Sequence, residues 1–183
     1  MPPPFESIFM NDIIHIETER LTLSAALKSY LTAMNSYLSK DWISLIGSPF
    51  DEVSKWRALL GSLIYQRLRE FRVWYIELCE SVKMWGIVGF VHHFDWPEKK
   101  LGWNLYHNFY GKGMTCGAAL AARRYCETHL NLRGVISCID PANILFAALT
   151  IRLDVKLENT HWLMDRDDHV YRYLVTEKPQ KAT

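Results

Sequence analysis

The sequence predicts an α/β (α+β) fold built on a mixed, largely antiparallel central sheet flanked by helices. Three observations carry that expectation. Residues 72 to 106 hold strand-like runs joined by short polar turns, the pattern of an antiparallel meander. A helical pattern over residues 113 to 130 separates two further strand-like runs and is long enough for a parallel crossover. Beyond it, Val135-Ile136-Ser137-Cys138-Ile139 is short and nearly continuous in apolar character, as a buried strand should be.

Ile13 to Leu23 reads as a first strand, followed by Leu27, Tyr30, Leu31, Met34 and Leu38 at helical spacing. The turn Gly47-Ser48-Pro49 precedes a second helix marked by Val53, Trp56, Leu60, Leu63 and Ile64. Residues 72 to 79 and 85 to 94 are strands around a turn at Glu80-Ser81, and Asp95-Trp96-Pro97-Glu98 makes the next turn. Residues 99 to 106 form the following strand. On the helix at 113 to 130, Met114, Ala118, Ala121, Ala122, Tyr125 and His129 share one face, opposite Arg123, Arg124, Glu127 and Thr128. A helix from Ile144 to Leu153 and a strand from Val170 to Val175 complete the order, with a polar, frayed end. A single domain over 1–183, with its core at about 13–175, is expected.

Composition narrows the function classes. Nearly half of the 183 residues are hydrophobic and 13% are aromatic, which excludes a disordered chain. A formal net charge of +1 gives no electrostatic reason to expect nucleic acid or a membrane as partner. No apolar run approaches the roughly 20 residues that cross a bilayer, and Met1 to Phe5 lacks the basic and apolar segments of a secretory signal. Cys79, Cys116, Cys126 and Cys138 have no Cys-x-x-Cys spacing. They read as reduced thiols of a cytoplasmic protein, with no metal site expected.

The stretch Asn108-Phe109-Tyr110-Gly111-Lys112-Gly113-Met114-Thr115 lies between a strand and a helix start. Gly111 and Gly113 open the backbone and remove side chains that would block an anion. The free amides of the first helical turn, aided by the helix dipole, then point at a negative charge. A plain strand-to-helix turn has the same two-glycine signature, so the loop alone does not choose.

Five segments in register do. Thr18-Glu19-Arg20-Leu21-Thr22-Leu23, Gly86-Ile87-Val88-Gly89-Phe90, Leu101-Gly102-Trp103-Asn104-Leu105, the loop Tyr110 to Thr115, and Asp140-Pro141-Ala142-Asn143 occur in that order. Together they resemble the GNAT superfamily of acyl-CoA-dependent N-acetyltransferases, in the branch of the ribosomal-protein-alanine N-acetyltransferases, over roughly residues 18 to 175. The resemblance implies a cleft where two strands splay apart around acetyl-CoA. It places the pantetheine arm near Asn104, Leu105 and Tyr106. The pyrophosphate falls on Tyr110, Gly111, Lys112, Gly113, Met114 and Thr115, and Asn143 helps to position the arm. Asn143 is equally suited to capping the helix at Ile144. The reaction implied is direct attack of an amine on the thioester, with a base taking the amine proton and no cysteine nucleophile required.

Departures from the pattern bear on catalysis. Lys100 stands where the family has a carboxylate two residues before Gly-Trp, Phe146 where a serine is expected, Thr115 where glycine or alanine is usual, and Ser24 where arginine follows Leu23. Replacement bases are His92, His93, Asp95 and Glu98, of which one of the two adjacent histidines faces the cleft. The same residues also read as a polar strand end. Trp56, Tyr65, Trp74 and Tyr75 are candidates for lining an acceptor pocket or for core. An active N-acetyltransferase for a primary amine of a small molecule or protein N-terminus, a weakened acyl-CoA sensor, and an interaction domain remain in competition.

Overall fold

The computed structural model describes residues 15–25, 30, 51, 53–54, 57, 60–61, 73–92, 96, 98–105, 111–163 and 166–175. His93, Asp95, Tyr106, Tyr110, Trp56, Tyr65 and all but Tyr30 of the first expected helix lie outside these residues. One eight-stranded sheet runs in the order β1-β2-β3-β4-β5-β6-β8-β7. Its strands are β1 (Ile16–Glu17), β2 (Leu21–Ser24), β3 (Val73–Leu78), β4 (Ser81–Val91), β5 (Lys100–Leu105), β6 (Ile136–Ile139), β7 (Val155–Leu163) and β8 (Arg166–Tyr173). Two helices, α1 (Met114–His129) and α2 (Ile144–Ile151), flank β6 in sequence. Every described strand pair is antiparallel except β5 with β6, which is parallel across α1.

The first expected strand is two strands. Thr18 Oγ1 accepts from the amides of Arg20 and Leu21 and breaks the run into a hairpin. β4 starts four residues earlier than its apolar pattern suggests, because Ser81 pairs with Leu78 across the Cys79-Glu80 turn. β7 is a strand where the sequence predicts no element. It carries Lys156, Glu158 and Asn159 at the sheet's outer edge, where half its ladder faces no other described strand. Polar, charged residues there suit an edge strand and hide it from hydrophobic patterning.

Side chains alternate across the sheet. Leu21, Leu23, Trp74, Ile76, Val88, Phe90, Leu101 and Trp103 pack against Met114, Ala118, Ala119 and Ala122 of α1. On the opposite face, Ile136, Cys138 and Val170 pack with Trp96. All four cysteines are free thiols, and burial pushes those of Cys116 and Cys138 up. No described helix is long and apolar enough to cross a membrane.

Arg123 overturns its expected place on the polar face of α1, for it is only 5% exposed. Its guanidinium donates to the carbonyl of Leu153 at 3.0 Å, to that of Leu174, and to Glu127 at 2.8 Å. It also lies 5.2 Å from the Tyr173 ring. One cation thus ties α1 to the turn after α2 and to the end of β8. Arg123→Met should destabilise the protein by about 3 kcal/mol, since it removes a buried donor from two carbonyls and one side of the ion pair with Glu127. Thermal unfolding should show a fall in Tm of about 6–12 °C.

Candidate active site

β5 leads into the glycine loop, and α1 leaves it. Gly111 and Gly113 have φ of 77° and 72°, the left-handed region where a side chain is strained. Gly113 is the N-cap of α1 and provides no side-chain cap, and no acidic residue sits in the first turn. The amides of Met114, Thr115 and Cys116 therefore precede the first intrahelical bond, which Gly117 donates to Gly113 at 3.3 Å. A Cβ placed on Gly111 or Gly113 would meet nothing within 4 Å, so the space beside these two glycines is open. Met114 is buried and offers the loop only its backbone.

Two cations flank the loop. Lys112 Nζ lies 5.4 Å from the Trp85 ring. Arg20 Nη1 donates to the Lys112 carbonyl at 3.4 Å, across 92 residues of sequence. Arg20 belongs to the first motif, yet nothing in the motif indicated that its side chain reaches the loop.

Between β5 and β6 the sheet opens. The parallel register holds the single pair Lys100↔Ile136, joined by the Ile136 amide donating to the Lys99 carbonyl at 3.2 Å. One residue on, Ser137 Oγ replaces the ladder by donating to the Leu101 carbonyl at 2.6 Å. The Tyr173 hydroxyl, 3.0 Å away, donates to Ser137 Oγ in turn, since the serine proton is already committed. This buried pair wedges the apex of the opening, and burial holds the Tyr173 phenol well above its usual pKa. Ser137 is the one hydroxyl in the apolar run Val135 to Ile139, and that is the wedge's only local trace.

Backbone groups alternate direction along β5. Because Lys99 and Leu101 aim their carbonyls at β6, Trp103 and Leu105 aim theirs, and their amides, into the opening. Asn104 faces the other way, paired with Ile87 of β4. Of the residues expected along the arm, Leu105 turns its backbone groups to the opening, as Trp103 does, while Asn104 turns its own to β4.

The expected bases diverge. His92 follows Val91, the partner of Lys100, and its Nε2 donates to the Trp96 carbonyl at 3.1 Å. A carbonyl only accepts, so neutral His92 carries its lone pair at Nδ1. Glu98 instead meets Arg172 with both oxygens, at 2.7 and 2.9 Å, while Glu158 takes the same guanidinium. The hydrogen bonds from Arg172 hold the Glu98 carboxyl below its ordinary pKa, which makes it a weaker base. Lys100 lies 4.5 Å from the Trp96 ring on the face opposite α1.

Phe146, at the serine position, stacks on Trp103 with centroids 4.4 Å apart and planes within 8°. Asn143 caps α2, its Oδ1 accepting from the Phe146 amide at 3.1 Å. That bond uses the oxygen and leaves its amide nitrogen as a donor of the same residue.

An anion at open helix amides and a polar arm along a strand edge are what this frame fits, and a CoA thioester has both. The sequence profile of the acetyltransferase (GNAT) domain matches residues 20–156. An acetyltransferase from Agrobacterium tumefaciens str. C58 is similar at 30% identity and a TM-score of 0.83, covering 90% of this chain and 96% of that one. The ribosomal-protein-S5-alanine acetyltransferase of Vibrio fischeri shares the fold at 15% identity and a TM-score of 0.70, over 88% of this chain and 96% of its own. So does the microcin C7 self-immunity acetyltransferase MccE, solved with acetyl-CoA and AMP, at 16% identity and a TM-score of 0.65 over 86% of this chain and 94% of its own. No curated protein sequence matches significantly. With the profile spanning well over half of the sequence, the chain belongs to the GNAT family of acetyltransferases, enzymes of acetyl-CoA-dependent acetyl transfer.

Proposed function

We propose that this protein is an N-acetyltransferase that acetylates a primary amine by direct attack, on a small molecule or a protein N-terminus. The observation that carries this reading is the single rung between β5 and β6, followed by a strand edge and first-turn helix amides that have no partner among the described residues. Bound acetyl-CoA supplies the thioester carbonyl. The amides of Gly113, Met114 and Thr115 take the pyrophosphate, with Lys112 and Arg20 adding positive charge. Backbone groups of Trp103 and Leu105 hold the arm, and the Asn143 amide steadies it. In the reaction the amine nitrogen bonds to the acetyl carbon, the carbon–sulfur bond breaks, and one proton passes from the amine to the departing sulfur.

His92 Nδ1 is the proton acceptor in this reading, reached directly or through one water. Glu98 is committed to Arg172, and Lys100 is not a base at neutral pH without a large depression of its pKa. His92→Ala should lower kcat/KM by about 10²-fold or more. Glu98→Gln should change it by less than about tenfold, because it removes a structural ion pair and no proton transfer. Full rate in His92→Ala together with loss of activity in Lys100→Ala would reverse the assignment. The function itself is tested by mass spectrometry of a panel of primary amines and short peptides incubated with enzyme and acetyl-CoA. A mass gain of one acetyl group on an amine supports it. Tight acetyl-CoA binding with no acetylated amine points instead to an acyl-CoA sensor.

A further inference from the structure

The two halves of the sheet meet along a short seam, with β1 to β5 on one side and β6, β8 and β7 on the other. The Lys100↔Ile136 rung crosses it, and the Ser137 bond to the Leu101 carbonyl follows. Toward Leu105 the seam opens. Its other end, ahead of the rung, is held by Arg172 of β8, which stands opposite Ile136. Arg172 Nη1 donates to Glu98 Oε2 at 2.9 Å and to the Gly134 carbonyl at 2.6 Å, while Nη2 donates to Glu98 Oε1 at 2.7 Å. Glu98 lies two residues before Lys100, and Gly134 two before Ile136. One guanidinium therefore grips both chains just upstream of their one described rung.

Glu158 stiffens this grip. β7 and β8 pair regularly on either side of it, but the register passes from Leu157↔Tyr171 to Asn159↔Val170 and skips Glu158. A bulge re-aims a side chain, and here the Glu158 carboxylate meets Nε at 3.0 and 2.9 Å and Nη2 at 2.7 Å. Each guanidinium nitrogen thus faces at least one acceptor, and the planar fork cannot turn without breaking several bonds. The Arg172, Glu98 and Glu158 side chains are 30%, 46% and 41% exposed, so their pairing adds little to global stability. Its leverage on the cleft is larger. The six residues of β5 span about 17 Å, so a rotation of about 5° at its base carries Leu105 by about 1.5 Å. Misplacement on that scale costs an oriented reaction on the order of 10²-fold.

We propose that Arg172 is a positioning residue: through its bidentate pair with Glu98 it fixes the angle between the two half-sheets, and so the width of the opening that takes the acyl-CoA arm. The inference rests on the reading that acetyl-CoA lies along β5. Arg172 sits at the closed end of the seam and acts on Trp103 and Leu105 by holding the base of their strand. Of its three partners, Glu158 and Gly134 belong to the β6-β8-β7 side, and Glu98 alone carries the link across. Glu98, expected from the sequence as a base, thus holds the cleft in shape.

Calorimetry with acetyl-CoA and with adenosine 3′,5′-bisphosphate, which keeps the nucleotide and lacks the pantetheine arm, provides the test. Arg172→Met should raise the Kd of acetyl-CoA at least about tenfold and leave that of the bisphosphate near its wild-type value. Its Tm should fall by no more than about 4 °C, as for a partly exposed ion pair. Arg123→Met is the opposite case, with the larger loss of Tm and an acetyl-CoA affinity near wild type. Glu98→Ala cuts only the link across the seam and should weaken acetyl-CoA binding at least about fivefold. Glu98→Gln keeps an acceptor oxygen for the fork and should restore most of that loss. If Arg172→Met does not fold, the two Glu98 variants decide. Unchanged acetyl-CoA affinity in Arg172→Met or Glu98→Ala would overturn the proposal, and so would equal losses for acetyl-CoA and the bisphosphate. If wild-type protein binds acetyl-CoA in either outcome, the transferase reading stands and only this inference falls. Wild-type protein that binds no acetyl-CoA removes both.

Discussion

Gly113→Val is expected to weaken CoA binding at least tenfold while the protein stays folded. Gly113 caps α1 at a φ of 72°, and a Cβ there meets no other atom within 4 Å. Packing therefore does not oppose the substitution. Two other effects do. A β-branched residue in the left-handed region is strained by about 1–3 kcal/mol and pulls the loop away from its geometry. Its side chain also fills open space at the start of α1, where the proposed pyrophosphate would approach. Gly113→Ala should fall between the two. Lys112→Ala should cost binding only about 0.5–1.5 kcal/mol, as one screened contact. Calorimetry with CoA checks all three, and an unchanged affinity in Gly113→Val would remove the loop from the binding site.

Gly86→Ala is expected to have the largest effect on the fold near the cleft. A Cβ on Gly86 would lie 2.2 Å from the Asn104 carbonyl oxygen and 2.9 Å from Leu105 Cα. Both are backbone atoms of β5, so neither can swing aside. β4 and β5 must separate where β5 also forms the rim of the opening. The expected loss is about 3 kcal/mol or more, from overpacking without a flexible neighbour. A fall in Tm of about 6–12 °C should accompany it. Gly102→Ala is the control, since a Cβ there meets nothing within 4 Å. Equal stability of the two variants would show that β4 and β5 do not approach as described.

These two glycines also mark what the sequence made legible. Gly86 and Gly113 stood in recognisable motifs because backbone geometry admits no substitute there, and such constraints leave a local trace. The antiparallel run β3-β4-β5, the crossover helix and the buried strand β6 were equally readable from turns and apolar patterning. β7 was not, because an edge strand rich in Lys, Glu and Asn has no periodic apolar face. The site was legible where it is backbone and illegible where it depends on distant contacts. Arg20 reaches Lys112 across the fold, Tyr173 donates to Ser137 from another strand, and Arg123 is buried by partners that local helical spacing does not register. Glu98 looked like a spare carboxylate in sequence. Arg172, which engages it, lies 74 residues away.

The backbone amides report whether CoA lies along the edge of β5 and on the first turn of α1. Titration of isotopically labelled protein with acetyl-CoA should move the amide resonances of Trp103, Leu105, Gly113, Met114 and Thr115 most strongly. Residues lining the groove between β1 and the outer face of α1, such as Ile16, Leu120 and Tyr125, should stay still. The largest shifts in that groove, with Gly113 to Thr115 unmoved, would contradict the claim.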